Sequence, residues 1–211
     1  MKQPMAPAMA LALQANFGSV ERWRAEFVAF GKAPAAGSDG VVLAFQAGEG
    51  TLVNRRATDD AHAPAGSIPI LELDMHALAA GQSVDACLDE IDWSTVYERY
   101  QHAVHAASEA LAASQDELAN AVVLDVRRAG VFEQASDIIP GSRWQDPMQV
   151  EQWAASLPRD RDVVVYCVYG HEVGRSTAMR LRAAGLNAHF LSGGIDGWKA
   201  AGRPLVPKGR S

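Results

Sequence analysis

The stretch from Val163 to Arg182, V-V-V-Y-C-V-Y-G-H-E-V-G-R-S-T-A-M-R-L-R, constrains this chain more than any other. Val163, Val164, Val165 and Tyr166 form an unbroken run of β-branched and aromatic residues, the composition of a buried strand. The run stops at Cys167, after which a loop punctuated by Gly170 and Gly174 passes into a helical pattern. A buried strand that turns at once into a helix belongs to an alternating strand–helix fold, and the cysteine stands at the turn. Backbone N–H groups in such a loop lack intrahelical partners and attract negative charge. They lower the pKa of a thiol on the loop floor from about 8.5 to roughly 3.5–7.5, which makes it a ready nucleophile at neutral pH. A free cysteine at a strand end is also a small hydrophobe, so the loop alone leaves a structural role open.

The 211 residues suffice for one large domain or two of about 100 residues each. A hydrophobic content of 48% with 21% charged residues is that of a globular protein able to bury a core. The net charge of -6 and pI near 5.5 argue against a nucleic-acid surface and for a small-molecule or protein partner. No apolar run reaches the length of about 18 residues needed for a membrane span. The opening Met1 to Leu11 is alanine-rich, is broken by Pro4 and Pro7, and makes a poor secretion signal. A cytoplasmic protein is therefore expected. Cys87 and Cys167 lie far apart, in different candidate domains, which speaks against a structural disulfide and excludes a paired-cysteine metal site.

In chain order, Ser19 is an N-cap for a helix with Val20, Trp23, Phe27 and Phe30 at helical spacing. A Gly/Ala/Pro-rich loop over 31–40 follows, then a strand at Val41–Phe45, a turn, and a strand at Thr51–Asn54, which together make an antiparallel hairpin. A third strand runs from Ile68 to Asp74, and helices are expected around Val84–Ile91 and from Asp92. The segments N-F-G-S-V-E-R-W-R-A-E-F (Asn16–Phe27), G-S-D-G-V-V-L-A-F (Gly37–Phe45), P-I-L-E-L-D (Pro69–Asp74) and I-D-W-S-T-V-Y-E-R-Y (Ile91–Tyr100) resemble the C-terminal domain of iron/manganese superoxide dismutases. The resemblance covers nearly all of residues 10–104 and implies an α+β domain. In that family the domain supplies an aspartate and, in D-x-W-E-H, a histidine to the metal. Asp74 matches the aspartate, but His76 stands at the tryptophan position and Leu78 at the histidine position. A lone carboxylate cannot hold a redox metal. The expectation is no metal and no cofactor, with Asp74 a remnant ligand position and the domain a scaffold or homodimer surface. A rescue would need His76 to join His62, His102 or His105 around a metal as a residual dismutase.

Residues 105–118 are expected to be a helical linker, with Ser114 capping a short helix and Glu117 at its third position. From 119 to 211 the rhythm is α/β. Strands are read at Ala121–Arg127, Val163–Tyr166 and Ala188–Leu191, and helices at Val150–Leu157, after Cys167, and from the Gly193-Gly194 turn to Ala201. L-D-V-R (Leu124–Arg127), I-P-G-S (Ile139–Ser142), Cys167 with its loop, R-A-A-G (Arg182–Gly185) and L-S-G-G-I-D-G-W (Leu191–Trp198) together resemble a rhodanese-like domain. The overall expectation is thus α/β: a dismutase-like α+β domain over 1–104, then a rhodanese-like α/β domain with a parallel sheet.

The resemblance implies a sulfurtransferase in which Cys167 carries a persulfide, taking sulfur from a small-molecule donor and giving it to a thiol acceptor. Val168, Tyr169, Gly170, His171, Glu172, Val173, Gly174 and Arg175 are the expected substrate-binding loop. Asp125 and Arg127 are expected to brace it, and the Gly193-Gly194 pair to make a tight turn beside it. The loop is one residue longer than the usual sulfurtransferase spacing and is similar to those of cell-division-cycle phosphatases and arsenate reductases, which use C-x5-R. The position of that arginine is Val173 here, which removes the bidentate clamp on a phosphate or arsenate. The loop is also similar to rhodanese-like domains of chromate-resistance proteins, an association with oxidative or oxyanion stress. The alternatives are an oxyanion enzyme using the same thiolate and a non-catalytic redox-sensing or assembly module.

Overall fold

The computed structural model describes residues 4–32, 40–57, 65–74 and 83–209. Most of the expected 31–40 loop, together with His62, His76 and Leu78, lies outside the described residues. The chain divides into two compact units, one of Met1–Ala47 and Thr51–Ala103, the other of Gly48–Gly50 and Val104–Ser211.

In the first unit, α1 (Pro7–Phe17) and α2 (Val20–Lys32) precede a three-stranded antiparallel sheet of order β2-β1-β3. The strands are β1 (Gly40–Gln46), β2 (Thr51–Arg56) and β3 (Ser67–Asp74), followed by α3 (Val84–Glu90) and α4 (Trp93–Ser108), whose residues from Val104 on belong to the second unit. The α1 helix was not expected from a proline-broken opening. Pro7 stands at its first turn, where the missing N–H has no helical partner to lose. Ser19 caps α2 as expected, its Oγ accepting from Arg22 N at 3.1 Å. The hairpin and third strand also follow the reading, with Leu43 opposite Asn54 on one side and Leu71 on the other. Central β1 is buried throughout, as its apolar run requires. Trp23 donates Nε1–H to Asn54 Oδ1 at 3.0 Å and packs 5.4 Å from Phe27 and 5.5 Å from Trp93, which joins α2, α4 and the sheet.

The second unit holds a five-stranded parallel sheet of order β4-β9-β8-β5-β7. Its strands are β4 (Ala112–Ala113), β5 (Val122–Asp125), β7 (Arg143–Trp144), β8 (Val163–Tyr166) and β9 (Ala188–Leu191), and β6 (Asp137–Ile138) pairs with β10 (Val206–Pro207) apart from it. Its helices are α5 (Ala129–Gln134), α6 (Val150–Ala154), α7 (Glu172–Ala183) and α8 (Gly194–Ala200). Alternate residues of β8 feed two cores: Val163 and Val165 pack with Leu124, Leu181 and Phe190, while Val164 and Tyr166 pack with Val123, Ile195 and Trp198. A strand covered on both faces has no polar side to show, which is why it reads as a continuous apolar run.

The stretch 105–118 differs from a helical linker. The α4 helix ends at Ser108, whose Oγ turns back to Val104 O at 2.6 Å, and Ala112–Ala113 then pairs in parallel with β9. Ser114 and Glu117 do form a capping box, on the 3-10 turn Gln115–Asn120. Among the described residues no helix is long and apolar enough to cross a membrane.

Candidate active site

The site is built on the ends of β5 and β8, where Asp125 and Tyr166 lie side by side in the parallel ladder. Asp125 is wholly buried, and its carboxylate accepts from Arg127 Nε at 3.0 Å, Arg127 Nη2 at 2.5 Å and Tyr166 Oη at 2.9 Å. Arg127 also donates to Asp137 O at 3.0 Å. The Tyr166 hydroxyl accepts from Ile139 N at 3.3 Å and lies 2.9 Å from Ser142 Oγ. Burial, and then the charge of Asp125, hold the phenol far above its ordinary pKa, so it stays a donor. L-D-V-R, I-P-G-S and the last strand residue before Cys167 are therefore one buried hydrogen-bonded network.

Cys167 is 6% exposed, and its Sγ lies 3.4 Å from the position that a Cβ on Gly174 would occupy. The first turn of α8 holds the loop from the other side: Ile195 N donates to Cys167 O and Asp196 N to Val168 O, each at 3.0 Å. Gly194 permits this approach. Its φ is +59°, and a Cβ there would stand 2.5–2.7 Å from Val168 O, Cys167 O and Gly170 N. Among the described residues, the amides of Val168, Tyr169, Gly170, His171, Val173 and Gly174 meet no carbonyl or side-chain acceptor. The first bond of α7 is Arg175 N to His171 O at 3.2 Å. Such a run of unpaired amides beside a thiol favours an anion, whether a thiolate, a persulfide or a bound oxyanion.

The expected loop residues divide by role. Tyr169 is 56% exposed and His171 is exposed; their rings lie 5.7 Å apart. His105, which the sequence suggested only as a possible metal ligand beside His102, packs its ring 5.8 Å from His171. Glu172 is buried and faces Arg128 at 3.6 Å. Val173 is half-buried at the position of a C-x5-R arginine. The Arg175 Nε donates to Gly170 O at 2.9 Å and Nη1 to Ser108 Oγ at 3.1 Å, with the guanidinium 4.2 Å over the Phe190 ring. Arg128 and Ser108 were missed by sequence reasoning, because no motif or periodicity ties either to the loop.

An iron or manganese ion, which the N-terminal resemblance would imply, needs several nitrogen or oxygen donors in a defined shell. Asp74 closes β3, but the described residues contain no group of three His, Cys, Asp or Glu side chains able to hold an ion. A single carboxylate supplies too few ligands for a redox metal.

Residues 106–201 match the rhodanese-like domain family. The N-terminal half is similar to a superoxide dismutase [Fe] of Cupriavidus metallidurans, 42% identical over 105 residues, covering 46% of this chain and 53% of that protein. It is also similar to superoxide dismutase [Mn] 1 of Halobacterium salinarum, 36% identical over 105 residues, covering 46% and 51%. The chain spans about half the length of the curated relatives it matches. A solved thiosulfate sulfurtransferase from Pseudomonas aeruginosa aligns at 24% identity and a TM-score of 0.40, over 45% of this chain and 19% of that one.

Proposed function

We propose that the chain is a sulfurtransferase carrying a sulfane sulfur on Cys167, a reading supported by the match of residues 106–201 to the rhodanese-like domain family. Thiosulfate or a related compound is the donor, and a small thiol or cyanide the acceptor. The observation that supports this best is a buried thiol at the end of β8 beside consecutive amides that lack acceptors among the described residues. The Cys167 thiolate attacks the outer sulfur of thiosulfate. A new S–S bond forms, the S–S bond of thiosulfate breaks, and sulfite leaves with the electron pair. The persulfide anion is stabilised by the amides of Val168, Tyr169, Gly170, His171, Val173 and Gly174. An acceptor thiolate then attacks the outer sulfur, takes it as its own persulfide, and returns Cys167 as thiolate.

The second reading, an oxyanion enzyme on the same thiolate, is favoured only by the longer loop. It lacks a guanidinium at Val173, and the Arg175 guanidinium is engaged by Gly170 and Ser108. The dismutase-like unit is proposed as a scaffold or homodimer surface.

The test is intact mass after incubation of the reduced protein with thiosulfate. A gain of one sulfur, absent in Cys167→Ser and removed by a thiol, is the expected result. A folded protein that gains no sulfur refutes the proposal.

A further inference from the structure

The loop after Cys167 offers amides to an anion but no guanidinium of its own, since position 173 is valine and Arg175 is engaged by Gly170 and Ser108. We infer that Arg128 supplies it from the end of β5: its guanidinium binds the sulfonate oxygens of a thiosulfate-class donor, and Glu172 sets it at the edge of the loop. The inference rests on the sulfur-transfer proposal and narrows the donor to a tetrahedral sulfur oxyanion, because an inorganic polysulfide carries no oxygens for the guanidinium to take.

The backbone brings Arg128 to the loop. Val126 N donates to Tyr166 O at 2.9 Å, so the chain leaving β5 runs beside the residue that precedes Cys167. Trp144 Nε1 fixes the next step by donating to Arg127 O at 2.8 Å, and Arg128 then stands at the start of α5. Its Nη2 lies 3.6 Å from Glu172 Oε1, and Glu172 sits between the unpaired amides of His171 and Val173.

That ion pair is open where the structural ones are closed. Arg127 and Asp125 meet through hydrogen bonds of 2.5–3.0 Å, and Arg180 and Glu151 through bonds of 2.6–2.9 Å. Among the described residues the Arg128 guanidinium makes no hydrogen bond; its contact with Glu172 is one of charge alone. Five N–H donors therefore remain for a ligand, in the planar fork that fits a sulfonate two oxygens at a time. The Arg128 side chain keeps 27% of its surface accessible and Glu172 only 9%, so an entering anion meets the cation before the carboxylate. Arg128 exchanges no bond in the reaction. It holds the oxygens that leave as sulfite when the S–S bond of thiosulfate breaks.

The bland alternative is that Arg128 only neutralises a buried carboxylate, and removing that carboxylate separates the two. The test is isothermal titration calorimetry of sodium thiosulfate into the full chain carrying Cys167→Ser, which cannot take up sulfur, with circular dichroism to confirm folding. Adding Arg128→Gln weakens binding roughly ten- to hundredfold, the loss of charge-assisted hydrogen bonds, and Arg128→Lys weakens it at least about threefold. The loss on Arg128→Gln persists when Glu172→Gln is also present. No saturable binding to Cys167→Ser, a folded Arg128→Gln that binds as its parent does, or a loss that vanishes in the Glu172→Gln background overturns the inference. Should Arg128→Gln not fold, parental affinity in Arg128→Lys overturns it instead. A wild-type chain that gains no sulfur, while Cys167→Ser binds thiosulfate through Arg128, refutes sulfur transfer and keeps Arg128 as an oxyanion-binding residue. Sulfur gain with binding indifferent to Arg128 refutes this inference alone.

Discussion

Tyr166→Phe deletes one hydroxyl from the residue immediately before Cys167, and its cost can be worked from the network around it. The hydroxyl donates to Asp125 Oδ2 at 2.9 Å and accepts from Ile139 N at 3.3 Å, and both Asp125 and Tyr166 are wholly buried. Losing a hydrogen bond to a charged acceptor removes about 1.5–3 kcal/mol, and leaving the buried Ile139 amide without a partner adds roughly 1–3 kcal/mol. The Ile139 bond is long, which places its share at the low end. Arg127 still covers both carboxylate oxygens, so Asp125 is not orphaned. The expected loss is about 3 kcal/mol, a large part of the roughly 5–15 kcal/mol that stabilises a domain. The assay is hydrogen exchange by mass spectrometry on the full chain, read on peptides covering Val122–Asp125 and Val163–Tyr166. At about 1.4 kcal/mol for each factor of ten, the slowest amides there should exchange roughly 150-fold faster. An acceleration below about fivefold, near 1 kcal/mol, would show that the hydroxyl does not tie these strand ends together.

Gly194→Ala puts a Cβ 2.5–2.6 Å from the Val168 and Cys167 carbonyls at a φ of +59°, so the loop must move. Cys167 alkylation should slow by at least about tenfold in a protein that still folds, as expected when a reacting group is displaced, and an unchanged rate would refute the packing argument. In Glu151, burial pushes the carboxyl up but hydrogen bonds and charge, chiefly from Arg180, hold it below its ordinary 4.5. Its folded pKa lies under the unfolded one, so this stabilisation is present above about pH 4.5 and is lost as pH falls through the folded value. The gap in denaturant midpoint between wild type and Glu151→Gln should therefore shrink from pH 5 to pH 3, and a constant gap counts against the pairing. Metal analysis of the purified full chain should find iron and manganese well below one per chain. Stoichiometric metal that Asp74→Ala removes would make Asp74 a ligand and end the scaffold proposal.

Local chemistry was the legible part of this chain. The run from Val163 to Tyr166, the cysteine behind it and the Gly193-Gly194 turn carry their meaning within a few residues, and the structure forms strand, loop and turn where those residues stand. Ala112–Ala113 was not legible, because two alanines have no period, and their helix propensity yields to pairing with Phe190 and Leu191 in the sheet. The proline-marked α1 was lost for a related reason: a helix that begins on proline looks like a broken segment until its first turn is seen. The electrostatics of the site were the least legible. Arg175 meets Gly170 five residues away but Ser108 sixty-seven residues away, and Glu172 faces Arg128 from a different strand–helix unit. A motif names the nucleophile because nucleophile and amides are neighbours in sequence. The groups that set the charge around it are neighbours only in the fold, and Ser108 reaches the loop from the end of a helix that begins in the dismutase-like unit. A truncation that starts after Ser108 would keep nearly all of the matched family region yet lose one of the two hydrogen bonds that hold Arg175.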